Sequence, residues 1–234
     1  MNWKEIYLDE CSKTFFYQET PLFLDKNIID ALKFHAPGLA PIQDTSGWFH
    51  INTQGNPIYV ERYQRAFGFY ENRATVVSNE GWYHINEDGK RLHSLTYSWC
   101  GNFQENRCSV KSKAGRFFHI NLLGKSCYAD EYQYVGDFKY GFACVMNDAQ
   151  KFTHINKEGV FLHNNWFKDL GVFHKGFAIA SDEEGWFHID LFGKPIYTHR
   201  FALIEPFYNG AAFMKNFDGR RGVIYENGKV IYFG

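Results

Sequence analysis

The residues best suited to chemistry are histidines that recur at one fixed position of a repeated hexapeptide. The hexapeptide reads GWFHIN at residues 47–52, GWYHIN at 81–86 and GWFHID at 185–190. The same position holds five histidines along the chain, namely His50, His84, His119, His154 and His188. Imidazole binds metals, transfers protons and makes hydrogen bonds, so this histidine column could be a ligand set, a catalyst or a packing element.

The spacing of the histidine column favours a structural role. The sixth repeat has Val223 at the equivalent position, so imidazole is not needed in every copy. A metal site gathers three or four ligands on one ion, whereas equivalent residues of stacked sheets lie about 10 Å apart. We therefore expect half-buried histidines that pack on the Trp or Phe two residues earlier and bond to backbone or to the next repeat. A metal or anion site is the alternative.

The other reactive side chains show no catalytic pattern. The chain has no phosphate-binding glycine loop, no G-x-S-x-G and no H-E-x-x-H motif. Cys108 occupies a position that other repeats fill with alanine, so we interpret it as a small buried residue rather than a nucleophile. We expect no catalytic residue, no cofactor and no bound metal.

The elements that position the histidines form an internal repeat. Its marker is an isoleucine that recurs at steps of 34, 35, 35, 34 and 35 residues, at Ile51, Ile85, Ile120, Ile155, Ile189 and Ile224. Four residues after each marker stands a glycine, and after most markers an Asn or Asp. An Asx side chain followed by a glycine is typical of a tight turn between strands.

Three short strands account for one repeat. The first holds a small residue such as Ala74, the second is Trp/Phe-x-His-Ile, and the third resembles PIYVERY at residues 57–63. Short connections predict an antiparallel meander. On the second strand Trp48, His50 and Asn52 share one face while Phe49 and Ile51 share the other, so both faces must be covered.

Sheets that are apolar on both faces are covered when each packs against the next. The sequence thus predicts an all-β fold of six to seven three-stranded antiparallel units, arranged as in a β-propeller, with an open superhelical β-solenoid as the alternative. Residues 34–234 hold six repeats, which we predict to form one repeat domain. Residues 1–33 are expected to be an N-terminal cap or a degraded first repeat, because residues 15–25 resemble a second and third strand.

The repeated columns resemble the bacterial WG-repeat family over residues 34–234. The shared pattern is Gly-Trp-x-x-Ile-Asn/Asp-x-x-Gly-Lys, followed by Tyr-x-x-x-Tyr/Phe and by Phe-x-x-Gly-x-Ala. The resemblance implies repeat modules that are often attached to other domains, and it supplies no catalytic residues. The sequence departs from the family pattern where Phe117, Phe152 and Arg221 replace the tryptophan.

Composition and charge exclude several function classes. The net charge of −1 and the lack of a basic patch give no reason to expect nucleic acid. No apolar run is long enough to be a signal peptide or to span a membrane, and the five cysteines form no C-x-x-C pair. We expect a cytoplasmic monomer with free thiols.

Two functions suit such a repeat protein. The first is a non-catalytic scaffold that binds an as yet unidentified partner protein. The second is a glycan-binding, lectin-like module, because GWYHINEDGK at residues 81–90 resembles cell-surface repeats whose aromatic residues hold sugars or choline. In either case the candidate contact residues are the repeated Trp48, Trp82 and Trp186 and the five histidines of the column. Exposure of the tryptophans would favour the glycan.

Overall fold

The computed structural model describes all 234 residues, Met1–Gly234, and its regular structure is almost entirely β. A single 3-10 turn, Trp3–Glu5, precedes twenty-two strands. The strands are β1 (Ile6–Asp9), β2 (Thr14–Tyr17), β3 (Thr20–Leu22), β4 (Asp30–Ala31), β5 (Ala40–Asp44), β6 (Gly47–Ile51), β7 (Arg65–Tyr70), β8 (Arg73–Ser78), β9 (Gly81–Ile85), β10 (Trp99–Cys100), β11 (Arg107–Lys111), β12 (Phe117–Asn121), β13 (Tyr134–Val135), β14 (Phe142–Met146), β15 (Phe152–Asn156), β16 (Asp169–Leu170), β17 (Ala178–Asp182), β18 (Gly185–Ile189), β19 (Leu203–Ile204), β20 (Ala211–Lys215), β21 (Arg221–Tyr225) and β22 (Val230–Tyr232).

These strands form seven separate sheets in which sequential strands are neighbours. Six sheets have three strands, from β1-β2-β3 to β16-β17-β18, and the last is β19-β20-β21-β22. The registers that the structure records are antiparallel and recur between repeats, with Ala143 opposite Ile155 and Ala178 opposite Ile189. The small residues of one strand therefore lie beside the marker isoleucines of the next, as a meander requires.

The strand composition of each sheet differs from the prediction in one respect. The predicted third strand, residues 57–63 in the first full repeat, pairs only at its two ends, where Ile51 bridges Pro57 and Trp48 bridges Tyr63. The segment bends between those bridges because the side chain of Tyr59 turns inward and is 8% exposed. The third strand of a sheet is instead a short one that precedes the small-residue strand, such as β10 or β13.

The predicted turn chemistry recurs after the marker isoleucines. The side chain of Asn52 accepts hydrogen bonds from the backbone N–H groups of Gln54 and Asn56, at 3.0 Å each. Gly55 closes the same turn with φ of +78°, in the left-handed region that favours glycine. The turn thereby fixes the position of β6, and of its histidine His50, in the sheet.

The chain divides into two compact units, residues 1–115 with 119–126 and residues 116–118 with 127–234. The core of the first unit includes the N-terminal sheet, where the fully buried Phe15 packs edge-to-face on Phe34 with 5.2 Å between ring centroids. The second unit holds three apolar clusters, centred on residues such as Val145, Ile189 and Ile224. No helix of the structure is long and apolar enough to cross a membrane.

Candidate functional site

The histidine column is fully buried rather than half-buried. All five side chains have 0 or 1% exposure. In four of them the Nε2–H group faces a backbone carbonyl seventeen residues later, at the start of the next sheet. The acceptors are Phe67 for His50 at 2.7 Å, Gly101 for His84 at 3.2 Å, Gly171 for His154 at 2.9 Å and Glu205 for His188 at 2.9 Å. These histidines therefore join one sheet to the next.

The second ring nitrogen is also engaged in three of these repeats. Tyr197 donates its hydroxyl proton to Nδ1 of His188 at 2.5 Å, and Tyr59 does the same for His50. In the repeat of His154 the donor is Nε2–H of His163, at 3.1 Å. With both nitrogens bonded inside the protein, none of these three rings has a lone pair or a proton left for a ligand.

Burial decides the charge state of the column. Desolvation lowers the pKa of His50, His84, His154 and His188 to about 4, although the facing carbonyl raises each pKa in part. These imidazoles are thus neutral at pH 7. The aromatic partner also differs from the prediction: His188 lies on Phe207 at 3.9 Å and His50 on Phe69 at 4.7 Å. Side chains two residues apart on a strand are separated by about 7 Å, whereas the next sheet packs directly on the ring.

One repeat departs from this pattern. At residue 93, as at residue 163, a histidine replaces the tyrosine of other repeats, but His93 does not bond to His84 Nδ1, which is buried without a partner. Both ring nitrogens of His93 are likewise unpartnered. In all 234 residues there is no group of three or more His, Cys, Asp or Glu side chains arranged to hold a metal ion.

Two of the three candidate tryptophans are covered by other side chains of the chain. Trp48 is 2% exposed, and the guanidinium of Arg65 lies 3.9 Å from its ring centroid. Trp82 is partly buried and stacks on Phe67, with 5.5 Å between centroids. The ring of Trp48 thus presents no free flat face of the kind that holds a sugar, and Phe67 occupies one face of Trp82.

Trp186 differs because it borders open space on the surface of the second compact unit. A groove of about 370 Å³ beside it is lined mainly by apolar groups, which are Leu170, Gly171, Ile179, Trp186, Ala202, Leu203 and Ile204, with Asp169 at one side. An adjoining cleft of about 400 Å³ shares Asp169, Trp186 and Ala202 and adds three acidic side chains, Asp182, Glu183 and Glu184. The two together form what we call the Trp186 groove, an apolar floor with carboxylates along it.

Two residues that differ from their counterparts in other repeats line this opening. Gly171 occupies the position at which Phe67 stacks on Trp82, and Leu203 occupies the position at which Arg65 covers Trp48. Sequence reasoning singled out Trp186 but not Asp169, Gly171 or Leu203. The sequence position seventeen residues after each repeated tryptophan could have indicated the opening. At that position Leu203 is neither charged nor aromatic.

Comparison with solved structures shows the class of fold. The chain is similar to BamB from Moraxella catarrhalis, with a TM-score of 0.50 and 11% identity over 97% of this chain and 83% of that one. It is also similar to Hsv2p from Kluyveromyces lactis, with a TM-score of 0.46 and 11% identity over 86% of this chain and 75% of that one. BamB is a β-propeller, so the predicted all-β, propeller-like fold is confirmed.

Sequence comparison identifies the repeat. No curated protein matches the chain. The family described as WG containing repeat matches residues 48–82, 129–149 and 186–219. These segments include part of each of the three GW hexapeptides, and two of the segments begin at Trp48 and Trp186. The resemblance seen in the sequence is thereby confirmed for these three segments, and the chain has a β-propeller-like, all-β fold.

Proposed function

We propose that the chain is a non-catalytic repeat scaffold that binds a partner protein in the Trp186 groove. The observation that carries this proposal is the open apolar floor at Trp186, in a fold whose other repeated tryptophans are covered by the chain itself. A partly buried aromatic residue at the edge of a small cavity is the usual anchor point of a protein interface.

The histidine column supports the non-catalytic part of the proposal. A general base has to reach a substrate proton and to titrate near the working pH. The column histidines lie inside the protein, four of them are bonded to backbone carbonyls, and burial lowers the pKa of His154, for example, to about 4. Their contribution is to hold successive sheets together.

A glycan is the weaker candidate ligand. Sugar-binding sites present flat aromatic faces with polar side chains around them that hydrogen-bond the hydroxyl groups. Carboxylates line one part of the Trp186 groove, but its floor is formed by Leu170, Ile179, Leu203 and Ile204, which offer no such bonds. A protein segment with apolar side chains matches this floor better.

Parallel selections distinguish the two ligands. A random peptide display library and a glycan array are each presented to the purified chain and to Leu203→Asp, which places a charge on the groove floor. Val60→Asp is the matched control, because Val60 is 88% exposed and lies in the first compact unit. We expect enriched peptides that bind the parent and Val60→Asp but not Leu203→Asp. Glycan binding that is lost in Trp186→Ala, without any enriched peptide, would overturn the proposal.

A further inference from the structure

Two rows of side chains in the chain are equivalent, and they lie four repeats apart. In the second sheet the cross-strand row runs from Asp30 through Gln43 to Trp48. In the sixth sheet the matching row runs from Asp169 through Ser181 to Trp186. Residues directly opposite one another on adjacent strands share a face of the sheet, so each aspartate lies on the same face as its tryptophan.

The aspartates of the two rows have the same local geometry. Oδ1 of Asp30 accepts the backbone N–H of Ala31 at 2.8 Å, and Oδ1 of Asp169 accepts that of Leu170 at 2.8 Å. This local bond directs one carboxylate oxygen at the backbone and leaves Oδ2 for another partner. Each row therefore presents one carboxylate oxygen near an indole.

In the first row an arginine of the chain itself fills the space. The guanidinium of Arg65 stands over the ring of Trp48 at 3.9 Å and donates to Oδ2 of Asp30 at 3.3 Å. Lys13 pairs with the other oxygen of Asp30 at 3.1 Å. A planar guanidinium suits this place because it can stack on an aromatic face while its N–H groups bond a carboxylate at the edge.

In the second row that arginine is missing. Leu203 stands at the position of Arg65, and it is 45% exposed. Asp169 makes no ion pair and is exposed at the side of the groove. The indole of Trp186 and the carboxylate of Asp169 are thus both present, but no cation of the chain lies between them as Arg65 does beside the second sheet.

The charges around the Trp186 groove also favour a positively charged ligand. Asp182 is neutralised by Arg200 at 2.8 Å, and Glu183 is paired with Lys151 at 3.0 Å and Lys168 at 3.1 Å. Asp169 and Glu184 make no such ion pair and lie beside the apolar floor. A ligand group with a positive charge and a flat apolar face is complementary to this combination.

We propose that the Trp186 groove takes an arginine side chain of the partner protein, stacked on the indole and paired with Asp169. This inference rests on the proposed function and gives the chemistry of its ligand. The same stacking recurs elsewhere in the chain, where Arg62 covers Phe49 at 3.8 Å and Arg200 covers Phe187 at 3.7 Å. Lysine fits less well, since a compact ammonium group has no planar face to lie on the ring.

A small probe tests the arginine site without knowledge of the partner. N-acetyl-arginine amide is titrated against the isotope-labelled chain, and the indole N–H resonance of Trp186 is followed by NMR after assignment with Trp186→Phe. We expect a saturable shift, with a dissociation constant of about 1–10 mM for so small a ligand. The lysine analogue and the uncharged citrulline analogue should bind roughly tenfold more weakly or not at all.

Variants of the two rows provide matched controls. Asp169→Asn should weaken binding of the arginine probe several-fold, and Leu203→Arg should abolish the shift, because its own guanidinium then occupies the groove. Arg65→Leu should open the equivalent place, so that the probe also shifts the indole resonance of Trp48. Because Asp169 and Leu203 are exposed, their variants should fold, and thermal melting verifies this.

Two results would overturn the arginine site. One is the absence of a saturable Trp186 shift up to about 100 mM probe, well above the expected constant. The other is an equal response to the arginine and citrulline analogues. Either result leaves the proposed function standing if arginine-free peptides from the display selection still bind the groove, so failure of the ligand chemistry and failure of the scaffold function are distinguishable.

Discussion

Acidification below neutral pH should destabilise the protein, because the histidine column is buried in its neutral form. Burial lowers the pKa of four column histidines to about 4 in the folded chain, whereas an unfolded chain gives histidine a pKa of about 6.5. Between these values the unfolded state binds more protons than the folded state. The free energy of unfolding therefore falls as the pH drops from about 6.5 to about 4.

The size of the effect follows from the two pKa values. At pH 5 each such histidine should cost about 2 kcal/mol of stability, and four together about 8 kcal/mol. Typical domains have only about 5–15 kcal/mol in total. Aspartates whose pKa is lowered in the folded chain, such as Asp44 and Asp182, lose their contribution only at still lower pH, near 4 and below. Loss of stability between pH 6.5 and 5 thus reports mainly on histidines.

Urea unfolding at fixed pH values between 7.5 and 5 measures this loss. The variant His188→Phe should be less stable at pH 7, because Tyr197 and the carbonyl of Glu205 lose a buried partner at about 1–3 kcal/mol each. It should nevertheless lose about 2 kcal/mol less than the parent on going to pH 5. His199→Phe is the matched control, since it replaces a histidine whose ring is exposed rather than buried. Equal losses in the parent and His188→Phe, or a parent that is as stable at pH 5 as at pH 7, would refute the reasoning.

Three further predictions concern glycines, tryptophans and thiols. Gly124→Ala should lower the melting temperature strongly, because an added Cβ would lie 2.0 Å from the ring of His93. Gly115→Ala has open space around the new Cβ and should cost only about 1 kcal/mol of stability for its positive φ. Equal melting temperatures of the two variants would contradict this. Trp48→Ala should cost about 3–5 kcal/mol by urea unfolding, and Trp186→Ala clearly less because its ring is partly exposed; the reverse order would show that Trp186 is a core residue. A thiol reagent added to the native protein should label Cys11 first, since three other cysteines are buried and burial raises the pKa of two of them; labelling of all five cysteines at one rate would show that the sheets open freely.

Much of the fold could be predicted because local sequence patterns determine it. The marker isoleucines and the Asx-glycine turns repeat at 34 or 35 residues, and each pattern acts within a few residues of chain. Alternation on β6 predicted that both faces are covered, and Trp48, Phe49, His50 and Ile51 are all buried. The predicted third strand was wrong, because Tyr59 leaves the sheet to reach His50, a contact that alternation does not encode.

The candidate site was predictable only in part. The sequence placed five histidines in one column and Val223 in the sixth, which by itself predicted a structural role. The sequence showed that the five histidines would be positioned alike. It did not show that four of their Nε2–H groups bond carbonyls of the next sheet, because those bonds depend on how the sheets pack. The low pKa of these rings has the same origin, since desolvation is a property of the packed core and not of the residue.

What the sequence by itself determined is the repeating sheet, its turns and the place of each tryptophan in it. Which tryptophan is open was decided by tertiary structure, because the covering groups come from residues distant in the sequence: Arg65 lies seventeen positions after Trp48, and Phe67 lies fifteen positions before Trp82. Trp48 and Trp186 belong to the same motif, yet Arg65 covers the first and Leu203 leaves the second beside a groove. A short-range pattern fixes where a side chain stands in its strand, whereas its exposure depends on the volume and charge of neighbours that only the folded chain brings against it.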